Sequence, residues 1–212
     1  MPVRKIPTDR RYLPKQERSR RKVETILDAA TRILVREGYD KASTNRVAKA
    51  AGVNIGTLYR YFPNKEALVA ALFERHIEQV SEAIVSKSRE VEGASLPAAV
   101  RALVEGMIKG VSIEPELHQV LVEQVPRAGR PKPGHTLEDC VIRIVCTYLE
   151  MYKEELSPRD PELAAFVIVQ AVKSLAHAAV LERPEYLRDR CLIDEITDLV
   201  VGYLTPDSKA LR

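Results

Sequence analysis

Ser43 to Leu68 reads STNRVAKAAGVNIGTLYRYFPNKEAL, and the fold turns on how this stretch is parsed. Ser43 or Thr44 can cap a helix by accepting bonds from free backbone N–H groups. Val47, Ala48 and Ala51 give that helix a narrow apolar face. Gly52 stands where the chain must turn, and glycine reaches left-handed angles without steric cost. Val53 is an apolar plug for the turn. Asn54 caps a second helix that runs to about Phe62, with Leu58 and Phe62 four apart and pointing inward. The other face carries Ile55, Gly56, Thr57, Tyr59, Arg60 and Tyr61. Pro63 ends this helix, Asn64 caps the next, and Lys65 falls in its first turn. A lysine there opposes the helix dipole, which makes sense if Lys65 and the helix end together grip a phosphate. Two short helices about a glycine turn form a helix-turn-helix, a unit that offers its second helix to base edges in a major groove.

Charge points the same way. The net charge is only +3, but residues 1–65 hold 16 Lys and Arg against 6 Asp and Glu, a balance of +10. The remainder holds 17 against 24, a balance of −7. A basic head on an acidic body suits a head that meets a polyanion and a body that does not. The charge alone is equally that of a solvated basic surface; the helix-turn-helix decides for DNA.

Outward from that motif, the spacing predicts an all-α chain of about nine helices. Residues 1–19 read as a flexible basic arm, able to reach a minor groove or simply to add charge. A first helix from about Glu17 to Glu37 places Val23, Ile26, Leu27, Ala30, Ile33 and Leu34 on one face, with Gly38 as its stop. Residues 20–80 then form a three-helix helix-turn-helix head, with the motif at 43–62. A long fourth helix, about Lys65 to Arg89, spans roughly 37 Å and joins the head to a helical body over 81–212. Within the body, Pro126 to Gly134 is a loop by composition. The last two helices are apolar over much of their circumference, which calls for a covering partner; a second copy of the chain is an economical one.

The run GTLYRYFPNKEAL (Gly56 to Leu68), preceded by AKAAGV (Ala48 to Val53), resembles the signature of the TetR (tetracycline-repressor-like) family of bacterial transcription regulators. The resemblance covers roughly residues 20–80. It implies a cytoplasmic homodimer, joined through the last two long helices of each subunit, that binds double-stranded operator DNA. It further implies a repressor released from a palindromic operator by a small-molecule effector. The alternative is a ligand-independent regulator or an activator of the same fold. By position in the family's motif, Thr44 binds phosphate and Asn45 can reach a base edge. Asn54, Ile55, Gly56, Thr57, Tyr59, Arg60 and Tyr61 form the exposed set of the recognition helix, and Lys65 clamps phosphate. Candidates for the effector cavity are Met107, Cys140, Ile144, Tyr148, Phe166, Gln170 and His177, residues that could as well be core.

Other chemistries find no support in the spacing. His76, His118, His135 and His177 form no H-E-x-x-H or Cys/His metal pattern, and no glycine-rich phosphate loop occurs. No catalytic site, metal or cofactor is expected. Cys140, Cys146 and Cys191 include no C-x-x-C and read as small core residues, with redox sensing at Cys140 or Cys146 as the alternative. The N-terminus lacks the apolar core of a signal peptide. The apolar stretch Leu163–Leu181 carries Gln170, Lys173, Ser174 and His177, so no membrane partner is expected.

Overall fold

The computed structural model describes residues 17–91, 93–125, 137–152, 156, 160–187 and 191–205. The arm up to residue 16, the loop at 126–134, His135 and the Cys140 side chain lie outside the described residues. Nine α-helices are present among the described residues: α1 Glu17–Lys41, α2 Thr44–Ala50, α3 Ile55–Tyr61, α4 Lys65–Arg89, α5 Leu96–Val111, α6 Pro115–Gln119, α7 Leu137–Met151, α8 Pro161–Leu181 and α9 Cys191–Leu204. Helix α6 continues as a π-helical turn, Val120–Gln124, and a 3₁₀ turn, Pro184–Leu187, precedes α9. Residues 17–19 are thus helical and belong to α1, not to the arm. The described residues divide into two compact units, one from 17–76 and 116–125 and the other from 77–115 and 137 onward.

In the first unit, the predicted face of α1 is fully used. Val23, Ile26, Leu27, Ala30, Ile33 and Leu34 are all buried. Gly38 breaks the helix at φ 76, ψ 169, a left-handed geometry that costs glycine little. Ser43 is extended and its Oγ accepts from the Arg46 N–H at 3.4 Å, starting α2. Helix α2 then closes with paired reverse bonds: the Gly52 N–H donates to the Lys49 carbonyl and the Val53 N–H to the Ala48 carbonyl, with Gly52 at φ 65. Asn54 Oδ1 accepts from the Thr57 N–H and Asn64 Oδ1 from the Ala67 N–H, each at 2.7 Å, so α3 and α4 begin where the sequence places them. Leu58 and Phe62 are fully buried. Arg75 of α4 holds α1 through Asp28 at 2.7 Å and Thr31 at 2.9 Å.

One segment arrives from far along the chain. Leu117, Val120, Leu121 and Val125 pack into this same core, although the division at residue 80 places them with the body. The local pattern of Pro115–Val125 announces an amphipathic turn but not which core it enters. There, His118 Nδ1 meets His76 Nε2 at 2.9 Å, and both rings are buried. One nitrogen donates and the other accepts, which requires at least one of the two rings to be neutral. His76 Nδ1 has no partner, and burial pushes the His76 pKa down to about 4 from 6.5. The unfolded chain therefore takes up its proton near pH 6.5 and the folded chain only near pH 4. The folded state is favoured above the first value and loses stability as pH falls between the two. Urea unfolding at successive pH values should show a loss on the order of 3 kcal/mol over this window. The loss should shrink in His76→Phe; an unchanged pH profile in that variant would remove the assignment.

In the second unit, α5 packs against α8 and α9, and α7 against α8. Asp160 Oδ1 caps α8 by accepting from Glu162 and Leu163 N–H groups, and Pro161 sits in the first turn. Ile84, Val104, Ala165, Ala176 and Ile196 lie at the centre of the core. Helix α5 meets the second half of α4 at backbone distance. A Cβ on Gly106 would stand 2.6 Å from Ile84 Cα, and one on Gly110 would stand 2.8 Å from Val80 Cα. Helix α8 is apolar on both sides. Ala165, Ile168, Val169 and Val172 face the core, whereas Leu163, Phe166, Val167 and Leu175 remain exposed, as does Leu199 of α9. By length and composition alone α8 could cross a membrane, but 39% of its most apolar window is buried inside this unit.

Candidate nucleic-acid interface and effector cavity

Helices α2 and α3 bring the predicted contact residues together unevenly. Thr44 Oγ1 lies 3.1 Å from the Tyr59 hydroxyl, so the first turn of α2 and the middle of α3 present two hydroxyls side by side. Asn45, Arg46 and Lys49 are exposed on α2, and Tyr59 and Arg60 on α3. Asn54 is exposed, but its Oδ1 is committed to the α3 cap. Ile55 is half-buried against the core, and Thr57 is half-buried. Gly56 is exposed, and a Cβ there would meet only Asn54 Oδ1 at 3.6 Å. Nothing internal requires glycine at that position.

Tyr61 departs from the predicted set, and Lys65 makes contacts the sequence did not announce. Tyr61 is not exposed: its ring is 1% accessible and belongs to the core beside Leu58 and Phe62. Its hydroxyl accepts from Arg60 Nη2 at 3.1 Å, with the guanidinium 5.0 Å from the ring centre. A hydrogen bond with Ser19, aided by Arg60 and Lys22, holds this phenol below its ordinary pKa. Lys65 has partners inside the protein. Its Nζ donates to the Tyr39 carbonyl at 2.9 Å and stands 4.0 Å over the Tyr39 ring. That contact offsets the unfavourable placement of a lysine at the start of α4. Arg46 and Lys49 are further exposed cations on the polar face of α2, outside the predicted set. Arg46 pairs with Glu37, which also binds Arg36 at 2.7 Å.

The second unit encloses an apolar cavity of about 40 Å³. Leu103 and Met107 of α5, Val145 and Tyr148 of α7, Ile168 of α8 and Val200 of α9 form its walls. Met107 and Tyr148 were predicted. Ile144, Phe166, Gln170 and His177 are not among the lining residues, and Phe166 is 48% exposed. On a helix apolar all round, periodicity does not distinguish the inner face from the outer one. Cys146 is half-buried, and burial together with Glu162, Glu150 and Asp160 pushes its thiol pKa up, which opposes thiolate chemistry. Cys191 is exposed at the start of α9, contrary to its reading as a core residue.

A capped helix-turn-helix on an all-helical chain defines a DNA-binding transcriptional regulator. Comparison with known proteins gives the family. Residues 26–72 match the model of bacterial regulatory proteins, tetR family, and residues 95–204 match the tetracyclin repressor-like C-terminal domain. The HTH-type transcriptional repressor LfrR of Mycolicibacterium smegmatis is 30% identical over 173 residues, covering 81% of this chain and 70% of that protein. An uncharacterised HTH-type transcriptional regulator of Mycobacterium tuberculosis is 27% identical over 191 residues, covering 89% and 88%. The fold matches the structure of the fatty acid degradation regulator FadR from Bacillus halodurans with a TM-score of 0.70 at 23% identity, over 90% of this chain and 97% of that one. The chain belongs to the TetR family of bacterial transcription regulators, which are not enzymes. Such regulators bind DNA and act as dimers with small-molecule effectors.

Proposed function

We propose that the protein is a homodimeric repressor that leaves a palindromic operator when an apolar small molecule enters the second unit. It acts in the cytoplasm, where the chromosome lies. Thr44 and Tyr59 hold phosphate through their paired hydroxyls. Asn45 and Arg60 reach base edges, an amide matching adenine and a guanidinium matching guanine. Gly56 lets the backbone of α3 approach the groove, and Ile55 can touch a thymine methyl. Arg46 and Lys49 add phosphate contacts. The exposed strip of α8 and α9 (Leu163, Phe166, Val167 and Leu199) pairs with its copy about a two-fold axis.

The observation that supports effector control is the cavity's apolar lining. At about 40 Å³ it has room for little more than a water molecule, against the hundreds of Å³ of a ligand site. Any effector must therefore push its walls apart, and α5 is a wall. Helix α5 touches α4 closely at both glycines, on bare backbone at Gly106 and on the Cα and side chain of Val80 at Gly110. A displaced α5 carries α4 with it, and α4 begins three residues after α3 ends. In a dimer this alters the spacing of the two recognition helices, which must stay about one DNA turn, roughly 34 Å, apart. Because Tyr148 is the sole polar side chain among the described lining residues, the effector is an uncharged or long-chain apolar compound.

Selection from a random duplex library tests the proposal. The enriched sequence should be an inverted repeat, and affinity for it should exceed that for random DNA by about a thousandfold or more. Enrichment of no sequence would refute sequence-specific reading. On that duplex, Tyr59→Phe should weaken binding about fivefold by removing one hydroxyl contact. The loss should be similar on mismatched duplexes, since phosphate contacts carry no sequence information. Unchanged affinity would remove Tyr59 from the interface.

A further inference from the structure

The corner between α1 and α2 is held from outside its own sequence, and one of the residues holding it lies on neither DNA-facing helix. The Tyr39 N–H donates to Gln124 Oε1 at 3.1 Å, across 85 residues of chain. The Tyr39 carbonyl accepts from Lys65 Nζ at 2.9 Å. Both polar groups of one peptide position are thus tied to distant segments. Gly38, just before it, is part of the same fitting: a Cβ there would stand 2.9 Å from Gln124 Oε1. The glycine at φ 76 therefore admits the amide as well as making the turn. Gln124 ends the π-helical turn that follows α6, and Val125 beside it is buried in the same core. A π turn widens the helix and re-aims its last side chains, and such turns recur at functional sites. Four residues after Tyr39, Ser43 caps α2, whose first turn carries Thr44 and Asn45.

We infer that Gln124 is a positioning residue for DNA reading, fixing the backbone from which α2 starts. This rests on the DNA-reading role of α2 and α3 given above. The amide acts as an acceptor that fixes the kink of α1 at Gly38. Without it the Tyr39 N–H loses its partner, and the approach to Ser43 gains freedom that DNA binding must then remove. Glu37, one residue before the glycine, meets Arg46 of α2 and braces the same corner from its other side.

The test compares Gln124→Ala, Gln124→Met and Gln124→Glu with the parent protein on the duplex selected by the parent. Met keeps the length without a comparable acceptor, and Glu keeps the acceptor. Ala and Met should weaken binding about fivefold, and Glu should restore most of the loss at matched salt. Amide exchange at Tyr39, measured without DNA, should speed up in Ala and Met and stay slow in Glu. Equal affinity in all four proteins, or equal loss in all three variants with Tyr39 exchange unchanged, would overturn the inference. A parent that binds no duplex would count against the DNA-reading role, whereas the exchange measurement reads the clamp independently of it.

Discussion

Phe166→Glu should turn the protein into a monomer and cost on the order of a hundredfold in operator affinity. Phe166 is 48% exposed, flanked by Leu163 at 59% and Val167 at 39%, and Leu199 of α9 is 56% exposed. No neighbour among the described residues covers these side chains, so a charge at Phe166 meets water in the monomer and disturbs little. In a two-fold contact the same charge is buried and faces its own copy, so each protomer contributes a like charge to an apolar interface. A single head then binds DNA without the gain of a tethered second one. Sedimentation should give one protomer at micromolar concentration, with a melting profile that no longer depends on protein concentration. A dimeric Phe166→Glu protein would exclude this face as the interface.

The second large effect lies inside the body. Changing Gly106 and Gly110 together to Ala should lower stability by roughly 2–4 kcal/mol, although each change alone raises helix propensity by up to about 1 kcal/mol. The sign follows from what the new methyl groups meet. They would stand 2.6 Å from Ile84 Cα and 2.8 Å from Val80 Cα. The obstacle is backbone at Gly106 and, at Gly110, Val80 Cα together with its stiff β-branched side chain, so α5 and α4 must separate along two turns. Thermal unfolding should shift down by roughly 5–15 °C. A rise in melting temperature would show that the two helices are not in backbone contact, and with it the proposed coupling of α5 to α4 would fail.

Much of the head is legible in the sequence because its signals are local. Ser43, Asn54 and Asn64 each cap a helix within three residues of themselves, and Gly52 closes α2 with bonds to Ala48 and Lys49. The errors have physical causes. Tyr61 was placed with the polar face because of its hydroxyl, yet it lies three from Leu58 and beside Phe62, on the inner arc of α3. The contact of Lys65 with the Tyr39 carbonyl was not legible, because that partner is 26 residues away and leaves no local mark. The segment at 115–125 was placed with the body because amphipathic spacing does not name the core that accepts it. Phe166 was offered to the cavity because a helix apolar on every side gives no register from which to choose.

The central claim is that two identical heads read two half-sites on one face of a duplex at a spacing set by the protein. The selected inverted repeat, lengthened at its centre by five base pairs, tests it most directly. Half a turn of added DNA carries the second half-site to the opposite face, and affinity should fall toward that of a single half-site. Restoring a full turn should bring the half-sites back to one face, about 34 Å farther apart, where a protein-fixed spacing still cannot span them. Affinity unchanged by either insertion would contradict the account.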